Sequence, residues 1–366
     1  MSGPDGDRIT PAEAAYRAAW RAAMRPYWHV IARSNDVAIG TAQAVRLLGE
    51  DLALWRAPNG VLGLVDQRCP HRGVSLALGS VSGDGCLVCP YHAWRFDRTG
   101  ACAEIPQLGG TRILTGAVTP AYSVRERHGL VWACLAARPV RDIPELPELD
   151  AGTHWFWMGE PLDWRAQNLR QIENFCDVAH FSVLHVDTFG NPAAVTWEPT
   201  PATRDGWSLR YRFDYESMDP SQPTTAERTP FPGAFDYCID LPCTVRLGGA
   251  SGPGSVMFIH SSPVDVYETR LFWGTAFPEG VTIDDAAYTD IEDRIFGPDV
   301  VMVESQRPQG LPVDVVSELH LPHDRCSVAY RRALAELGVP APAASVSSPA
   351  IARTTTDPLH QDHIHA

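Results

Sequence analysis

Apolar residues in the first 150 positions occur in short runs separated by turn-forming residues. The first pattern is a helix-favouring segment at 12–24, within an N-terminal region at 1–25. From about Tyr27 the pattern changes, and Gly, Asp and Asn separate short apolar runs, for example at 61–65, 85–88 and 130–134. Such spacing is typical of a compact antiparallel β domain, which we place at 26–147.

Longer elements follow a turn-rich connector at 144–147. Apolar side chains at helical spacing predict a helix over 163–185. Aromatic and β-branched residues then predict strands near 207–216, 236–247, 254–261 and 267–277. Two further helical patterns lie around 284–306 and 325–337. We place this second, α+β domain at 148–338 and expect a disordered tail, rich in Pro, Ala, Ser and Thr, at 339–366.

The basic residues exclude several classes of enzyme. The 366-residue chain has 30 Lys and Arg residues in total, and every one of them is arginine. A P-loop nucleotide site, a protein kinase, a pyridoxal phosphate enzyme and a Schiff-base aldolase all need a lysine, so all four are excluded. The formal charge of −14 argues against a nucleic-acid partner, because a net acidic surface repels phosphate. Arginine-only usage also fits high-GC coding, which suggests an actinobacterial source.

Hydropathy favours a cytoplasmic location with no membrane contact. The first ten residues are polar and acidic and contain no apolar signal region. The longest uncharged apolar stretch, at 129–137, is about nine residues long, whereas a membrane helix needs about 20. Nine cysteines in a long chain of this kind are poorly explained by a disulfide framework. Metal ligation and burial as small apolar residues are the better explanations.

Two cysteine–histidine pairs form the first candidate site. Cys69 and His71 lie on one turn-rich segment, and Cys89 and His92 lie on another. A [2Fe–2S] cluster with two thiolates on one iron and two imidazoles on the other needs this pairing. Zinc is the alternative, since Cys86 and Cys89 together would make a Cys-x-x-Cys knuckle. The Cys-x-His spacing is too short for the usual zinc knuckle, so the cluster is favoured.

A second candidate site lies within the predicted helix at 163–185. Non-haem iron that activates O₂ binds two histidines and one carboxylate. His180 and His185 are five residues apart, about 140° around a regular helix, so we expect a distortion or a helix end between them. Asp177 lies three residues before His180 and suits a hydrogen-bond acceptor for an imidazole better than a metal ligand.

Two motifs resemble those of a known family. Cys-Pro-His-Arg-Gly at 69–73 and Cys-Pro-Tyr-His-Ala-Trp-Arg-Phe-Asp at 89–97 resemble the Rieske motif of ring-hydroxylating oxygenase α subunits. Ala93 stands where that family usually has glycine. The tracts at 318–320 and 329–333 resemble the monooxygenase-like branch that lacks β subunits and includes aminopyrrolnitrin and pheophorbide a oxygenases. The resemblance spans about residues 26–337, and it implies an all-β Rieske domain followed by a helix-grip domain, an antiparallel sheet with helices.

The same resemblance implies roles for the site residues. It places Cys69 and Cys89 on one iron of the cluster, and His71 and His92 on the other. Asp-x-x-His-x₄-His after Asn-Phe resembles the family's catalytic helix. In that family the aspartate links a cluster histidine of one subunit to an iron histidine of its neighbour, which implies a homotrimer. The residues concerned here are His92, Asp177 and His180.

Two further residues are implied to lie near the iron. Asn174 matches a position that some members of the family hold close to the metal. The third ligand would be the first acid of the 299–308 tract, Asp299, and the alternative is Glu304.

The resulting hypothesis is the terminal oxygenase of a Rieske non-haem iron system with a [2Fe–2S] cluster and mononuclear Fe(II). It would use O₂ to hydroxylate, demethylate or N-oxygenate a small aromatic or heterocyclic metabolite. No reductase motif is present, so a ferredoxin or flavin reductase must supply electrons from NAD(P)H. We expect this electron donor to dock at a patch formed by Arg68, Arg72 and Arg95. The alternatives are aromatic catabolism by a similar oxygenase, a Rieske electron carrier, and a zinc-stabilised ligand-binding module.

Overall fold

The computed structural model describes residues 9–110, 112–196, 198, 200–220, 222 and 228–342. Its helices are α1 Pro11–Met24, α2 Pro147–Asp150, α3 Asn168–Cys176, α4 Phe181–Leu184, α5 Asp285–Ser305 and α6 Arg325–Glu336. Short 3₁₀ turns occupy Ser34–Asp36, Leu76–Leu78 and Pro106–Leu108. None of the helices in the described ranges is long and apolar enough to cross a membrane.

The N-terminal half consists of three small antiparallel sheets. Its strands are β1 His29–Arg33, β2 Ala42–Leu47, β3 Glu50–Arg56, β4 Leu62–Asp66, β5 Ser80–Val81, β6 Leu87–Val88, β7 Arg95–Phe96, β8 Cys102–Glu104, β9 Ser123–Arg127 and β10 Leu130–Cys134. They pair in the orders β1-β10-β9, β2-β3-β4 and β5-β6-β7-β8. Cys69 follows β4, and Cys89 lies between β6 and β7. A buried apolar cluster that includes Trp55, Leu76 and Phe96 surrounds both cysteines, which fixes the two loops relative to each other.

The C-terminal half is a single antiparallel sheet with helices packed on it. Its strands are β11 His154–Met158, β12 Leu162–Trp164, β13 Thr203–Asp205, β14 Ser208–Ser217, β15 Phe231–Asp240, β16 Thr244–Gly248, β17 Val256–Asp265 and β18 Glu268–Pro278. The order is β11-β18-β17-β16-β15-β14-β13, and β12 also pairs with β18. Strand β14 alternates buried and exposed residues along its length, so one face of the sheet carries the core. The architecture is the α+β fold expected from the sequence, with an all-β domain followed by a helix-grip domain.

The structure corrects two predicted elements. The helix predicted over 163–185 is wrong as a single element, because residues 162–164 form β12 and the helical part is divided into α3 and α4. The strand predicted over 236–247 is also wrong, since β15 ends at Asp240 and β16 begins at Thr244. Leu241 and Pro242 lie in the turn between them.

Other predicted elements are confirmed. Helices α1, α5 and α6 agree with the predicted helical patterns to within one or two residues at each end. The helix end predicted between His180 and His185 is present, because α4 stops at Leu184. Most of the predicted tail, 343–366, lies outside the described residues.

Candidate active site

Cys69 and Cys89 begin two loops with the same backbone hydrogen bonding. The N–H of Cys69 donates to the carbonyl of Val74 (2.9 Å), and the N–H of Cys89 donates to the carbonyl of Trp94 (2.8 Å). Each bond closes a tight loop that contains the four residues between its two ends. The two loops therefore hold their cysteines at equivalent positions, whereas His71 is the second residue after its cysteine and His92 is the third.

The thiols and the imidazoles lie at different depths. Cys69 and Cys89 are 3 % and 2 % exposed, whereas His71 and His92 are partly exposed. The Nδ1 atoms of the two imidazoles are 3.1 Å apart, close enough to bind one metal ion. Burial raises the pKa of the Cys69 thiol to about 11, and the neighbouring Cys89 thiol adds to this shift. Two buried thiolates need a nearby cation, so the site fits a cluster with an inner thiolate-bound iron and an outer imidazole-bound iron.

Two residues that the sequence analysis did not assign hold the imidazoles in place. The indole of Trp94 stacks on His71, with an interplanar angle of 3° and 4.7 Å between ring centroids. The Trp94 Nε1–H donates to Oε1 of Gln107 (3.2 Å), and Nε2 of Gln107 donates to the carbonyl of His92 (2.8 Å). Trp94 lies within the quoted motif, but only the fold brings Gln107 to the same loop.

Asp177 ends helix α3 and contacts the first histidine of the second site. Its backbone is extended, and its Oδ1 accepts a hydrogen bond from the N–H of Ala179 (2.9 Å). Its Oδ2 lies 3.3 Å from Nδ1 of His180, which leaves Nε2 of that ring to point elsewhere. The Asp177 side chain is 41 % exposed, so part of the carboxylate remains open at the surface.

His180, His185 and Asp299 come together at one point. The histidines flank the short helix α4, and Asp299 lies on α5. Nε2 of His180 is 3.7 Å from Oδ1 of Asp299, and Nε2 of His185 is 3.4 Å from the same oxygen. One ligand atom from each residue lies within 4.8 Å of the other two. Oδ1 of Asp299 is buried without a hydrogen-bond partner among the described residues, an arrangement that a bound cation would stabilise.

The other two residues predicted near the iron have different positions. Glu304 lies five residues beyond Asp299, on another face of α5, and its Oε1 accepts from the N–H of Arg165 (2.8 Å). It does not belong to the metal-binding group. Asn174 lines the cavity beside the two histidines, and no described contact makes it part of the metal-binding group.

A cavity of about 540 Å³ opens in front of this group. Most of its wall is apolar and aromatic, and includes Phe175, Phe189, Phe235, Met257, Phe277 and Phe296. None of its described lining residues is an arginine. Glu292, on α5, is a lining acid that the sequence analysis missed. The signal that could have identified it is its spacing of seven residues from Asp299, which places both acids on one face of a helix.

The structure changes the predicted docking surface. The guanidinium of Arg95 pairs with both Asp84 and Glu104, the latter at 2.6 Å, so Arg95 is less available to an acidic partner, and its part in docking stays a prediction. Arg68 and Arg72 are exposed, and no described residue forms an ion pair with either. These two arginines therefore remain candidates for contact with an acidic partner.

Comparison with known proteins agrees with both halves of the fold. Residues 27–119 match the Rieske [2Fe-2S] domain, and residues 164–339 match the vanillate O-demethylase oxygenase C-terminal domain. Methylxanthine N1-demethylase NdmA of Pseudomonas putida is 31 % identical over 328 residues, covering 86 % of this chain and 89 % of that protein. Methylxanthine N3-demethylase NdmB of the same species is 27 % identical over 334 residues, covering 87 % and 90 %.

Solved structures give the same result. The structure of Pseudomonas putida CBB5 NdmA with caffeine matches with a TM-score of 0.77 and 28 % identity, covering 87 % of this chain and 92 % of that one. Dicamba monooxygenase bound to dicamba matches with a TM-score of 0.67 at 19 % identity, covering 86 % and 97 %, which shows a shared fold.

Fold and site together define an iron-dependent oxygenase with a cluster domain and a separate catalytic domain. The chain belongs to the Rieske non-haem iron oxygenases, which contain a Rieske [2Fe–2S] cluster and mononuclear iron. The buried thiol pair and the Asp299 oxygen, which has no hydrogen-bond partner among the described residues, both fit these metal groups.

Proposed function

We propose that this enzyme removes a methyl group from a small aromatic or heterocyclic substrate by oxidation. The observation that carries the proposal is the apolar cavity of about 540 Å³, which has the His180, His185 and Asp299 side chains in its wall. NdmA and NdmB are named as N-demethylases, and the C-terminal family is named after an O-demethylase. We infer the same reaction class for this chain.

In this proposal each protein group has a defined task. His180, His185 and Asp299 hold the mononuclear iron, which supplies O₂ activation when bound. Asp177 orients the His180 ring through Nδ1, and the aromatic wall positions a planar substrate and excludes water. Hydroxylation of the substrate methyl group consumes O₂, two electrons and two protons and releases one water. The resulting hydroxymethyl group then leaves as formaldehyde, and a hydrogen replaces it on the substrate.

Electrons must come from outside the chain. We propose a ferredoxin or flavin reductase as the donor, docking near Arg68 and Arg72 at the exposed imidazole side of the cluster. Cys69, Cys89, His71 and His92 hold the cluster in this proposal. Electrons then pass from His92 of one subunit to Asp177 of its neighbour, and from there to His180 of that same neighbour. This route needs the predicted homotrimer. Asn174 would contribute to the cavity wall beside the metal.

We also propose a cytoplasmic location and a role in specialised metabolism for this enzyme. A cytoplasmic location suits a dependence on NAD(P)H. A tailoring role in specialised metabolism rests on arginine-only usage and stays a prediction.

The reaction is tested by measuring formaldehyde. Purified enzyme with NAD(P)H and a ferredoxin–reductase pair is given caffeine, theobromine, vanillate and N-methylated indoles, and formaldehyde is compared with O₂ consumed. We expect formaldehyde at about one per O₂ with at least one substrate class, and none with Asp299→Asn. Ring-hydroxylated products without formaldehyde would contradict demethylation while leaving an oxygenase.

A further inference from the structure

Helix α5 lies along one side of the cavity and contributes six lining residues. Four of them, Tyr288, Glu292, Phe296 and Asp299, follow one another at spacings of four, four and three residues. Those spacings place them on one helix face. Glu292 and Asp299 are two turns apart, about 10 Å along the helix axis. The metal-binding group therefore lies near one end of this row, and Glu292 lies at a distance suited to the far side of a bound ring.

Glu292 is buried without a full set of partners. It is 3 % exposed, and its Oε2 has no hydrogen-bond partner among the described residues. No arginine lines the described part of the cavity, so no guanidinium neutralises it there. A buried carboxyl group in this state is unfavourable unless something else supplies a hydrogen bond. The apolar neighbours cannot supply this hydrogen bond, so it must come from the cavity, which Glu292 lines.

The surroundings of Glu292 are ordered. The hydroxyl of Tyr288 lies 2.8 Å from Oγ of Ser251 and 2.7 Å from Oγ1 of Thr275, which fixes its position next to the carboxyl group. Burial raises the pKa of Glu292 to about 7, the Tyr288 hydroxyl acts in the opposite direction, and the charge of Asp293 adds to the increase. Near neutral pH a hydrogen-bond donor in the cavity would keep the carboxylate form.

We propose that Glu292 is a substrate-binding residue that accepts a hydrogen bond from a nitrogen-borne hydrogen at the end of the substrate opposite the metal. This inference rests on the proposed function for the reaction performed, and it adds the substrate class. Substrates are nitrogen heterocycles or amines carrying an N–H group. Aromatic carboxylates are disfavoured, because the cavity offers Glu292 and no described guanidinium to receive them.

Binding can be measured without turnover. Calorimetry measures the dissociation constants of two matched pairs of probes. The sample is the iron-loaded enzyme in its oligomeric state in solution, without an electron donor. Theobromine and caffeine differ by an N–H against an N–CH₃, and tryptamine and tryptophol differ by an amine against a hydroxyl. We expect the N–H or amine member to bind about tenfold more tightly to the unmodified enzyme in at least one pair.

Variants of Glu292 test its part in this preference. Glu292→Leu should remove the preference in every pair for which the unmodified enzyme shows one. Glu292→Gln should retain a preference for theobromine, since the amide oxygen still accepts a hydrogen bond, but lose one for tryptamine, which needs a charge. Glu304→Gln, on the same helix outside the cavity, is the control and should behave as the unmodified enzyme.

Several results would overturn the inference. They are equal binding within both pairs, no binding of any probe, or a preference that survives Glu292→Leu. A lower melting temperature with equal loss for both members of each pair would assign Glu292 a structural role instead. Formaldehyde release is a separate readout: its absence with the binding preference intact would refute the proposed reaction and not the substrate class.

Discussion

Gly73 and Ala93 occupy equivalent positions in the two cluster loops. Each is the fourth residue after a cysteine, and each donates its N–H to that cysteine's carbonyl, at 2.8 Å for Gly73 and 3.0 Å for Ala93. Both have positive φ, 69° and 56° respectively. The left-handed backbone conformation is therefore required twice, and one of the two loops meets it with alanine, at a cost.

This relationship predicts opposite effects of two substitutions. Ala93→Gly should stabilise the folded protein by about 0.5–1 kcal/mol, because glycine adopts positive φ without a Cβ clash. Gly73→Ala should destabilise by about 1 kcal/mol. The added Cβ would meet no atom of the described part of the chain within 4 Å, so the effect is confined to the backbone. Thermal melting followed by visible absorption of the cluster measures both. A lower melting temperature for Ala93→Gly would show that the alanine methyl group has a stabilising contact.

Asp299 and Glu304 give a direct test of the metal-binding group. Asp299→Asn should lower the iron content from about three to about two per chain, since the cluster retains its own two irons. The visible spectrum of the cluster should be unchanged. Glu304→Gln should retain about three irons, because Glu304 bonds the backbone of Arg165 instead. Loss of iron in the Glu304 variant with retention in the Asp299 variant would reverse the assignment.

These two acids also show where sequence reasoning stops. The cluster motifs are local, since each loop spans a few residues and its ligand spacing can be seen directly in the sequence. Asp299, the proposed third iron ligand, lies 114 residues from His185, and only the packing of α5 brings it close to the two histidines. Five residues separate Asp299 from Glu304, about 140° of helix, so the choice depends on a rotation that the sequence does not specify.

The break in the predicted helix has a similar explanation. The helical periodicity over 163–185 correctly indicates α3 and α4. It does not indicate that the Asp177 carboxylate accepts a hydrogen bond from the N–H of Ala179 and so ends α3. That bond is a competition between side chain and backbone. Glu292 was missed for another reason, because it lies in an acidic stretch that resembles a solvated helix face.

Asp177→Asn should slow electron transfer while leaving both metal sites occupied. The amide keeps the size of the side chain but removes the charge next to His180. We expect re-oxidation of the pre-reduced cluster by O₂, with substrate present, to slow by about 100-fold in stopped-flow absorption, with iron content unchanged. An unchanged rate at full iron occupancy would exclude Asp177 from the route.

Arg68 and Arg72 should govern the rate of reduction by an acidic donor. Arg68→Glu with Arg72→Glu should lower kcat/KM for a ferredoxin by about tenfold at low salt, and the difference should diminish as ionic strength rises. Arg325→Glu with Arg332→Glu, at two exposed positions on α6, changes the net charge by the same amount and is the control. Equal effects of the two charge reversals would attribute the change to overall charge and not to docking.

Glu292 makes folding stability depend on pH in a defined window. Its pKa is raised from about 4.5 to about 7, chiefly by burial, so between these values the folded protein binds more protons than the unfolded chain. Stability attributable to Glu292 is therefore complete below pH 4.5 and falls as the pH rises to 7, by up to about 3 kcal/mol. The groups that act on it are Tyr288 and Asp293, and the metal-binding group lies two turns away on the same face.

Glu292→Gln removes this titration. The variant should melt close to the unmodified enzyme at pH 5 and several degrees higher at pH 8, since a neutral amide pays no cost of ionisation in the cavity. Melting both proteins at the two pH values, with iron content matched, measures the difference. If the melting temperatures of the two proteins differ by the same amount at both pH values, Glu292 ionises at its ordinary pKa. A partner in the cavity wall would then stabilise its carboxylate.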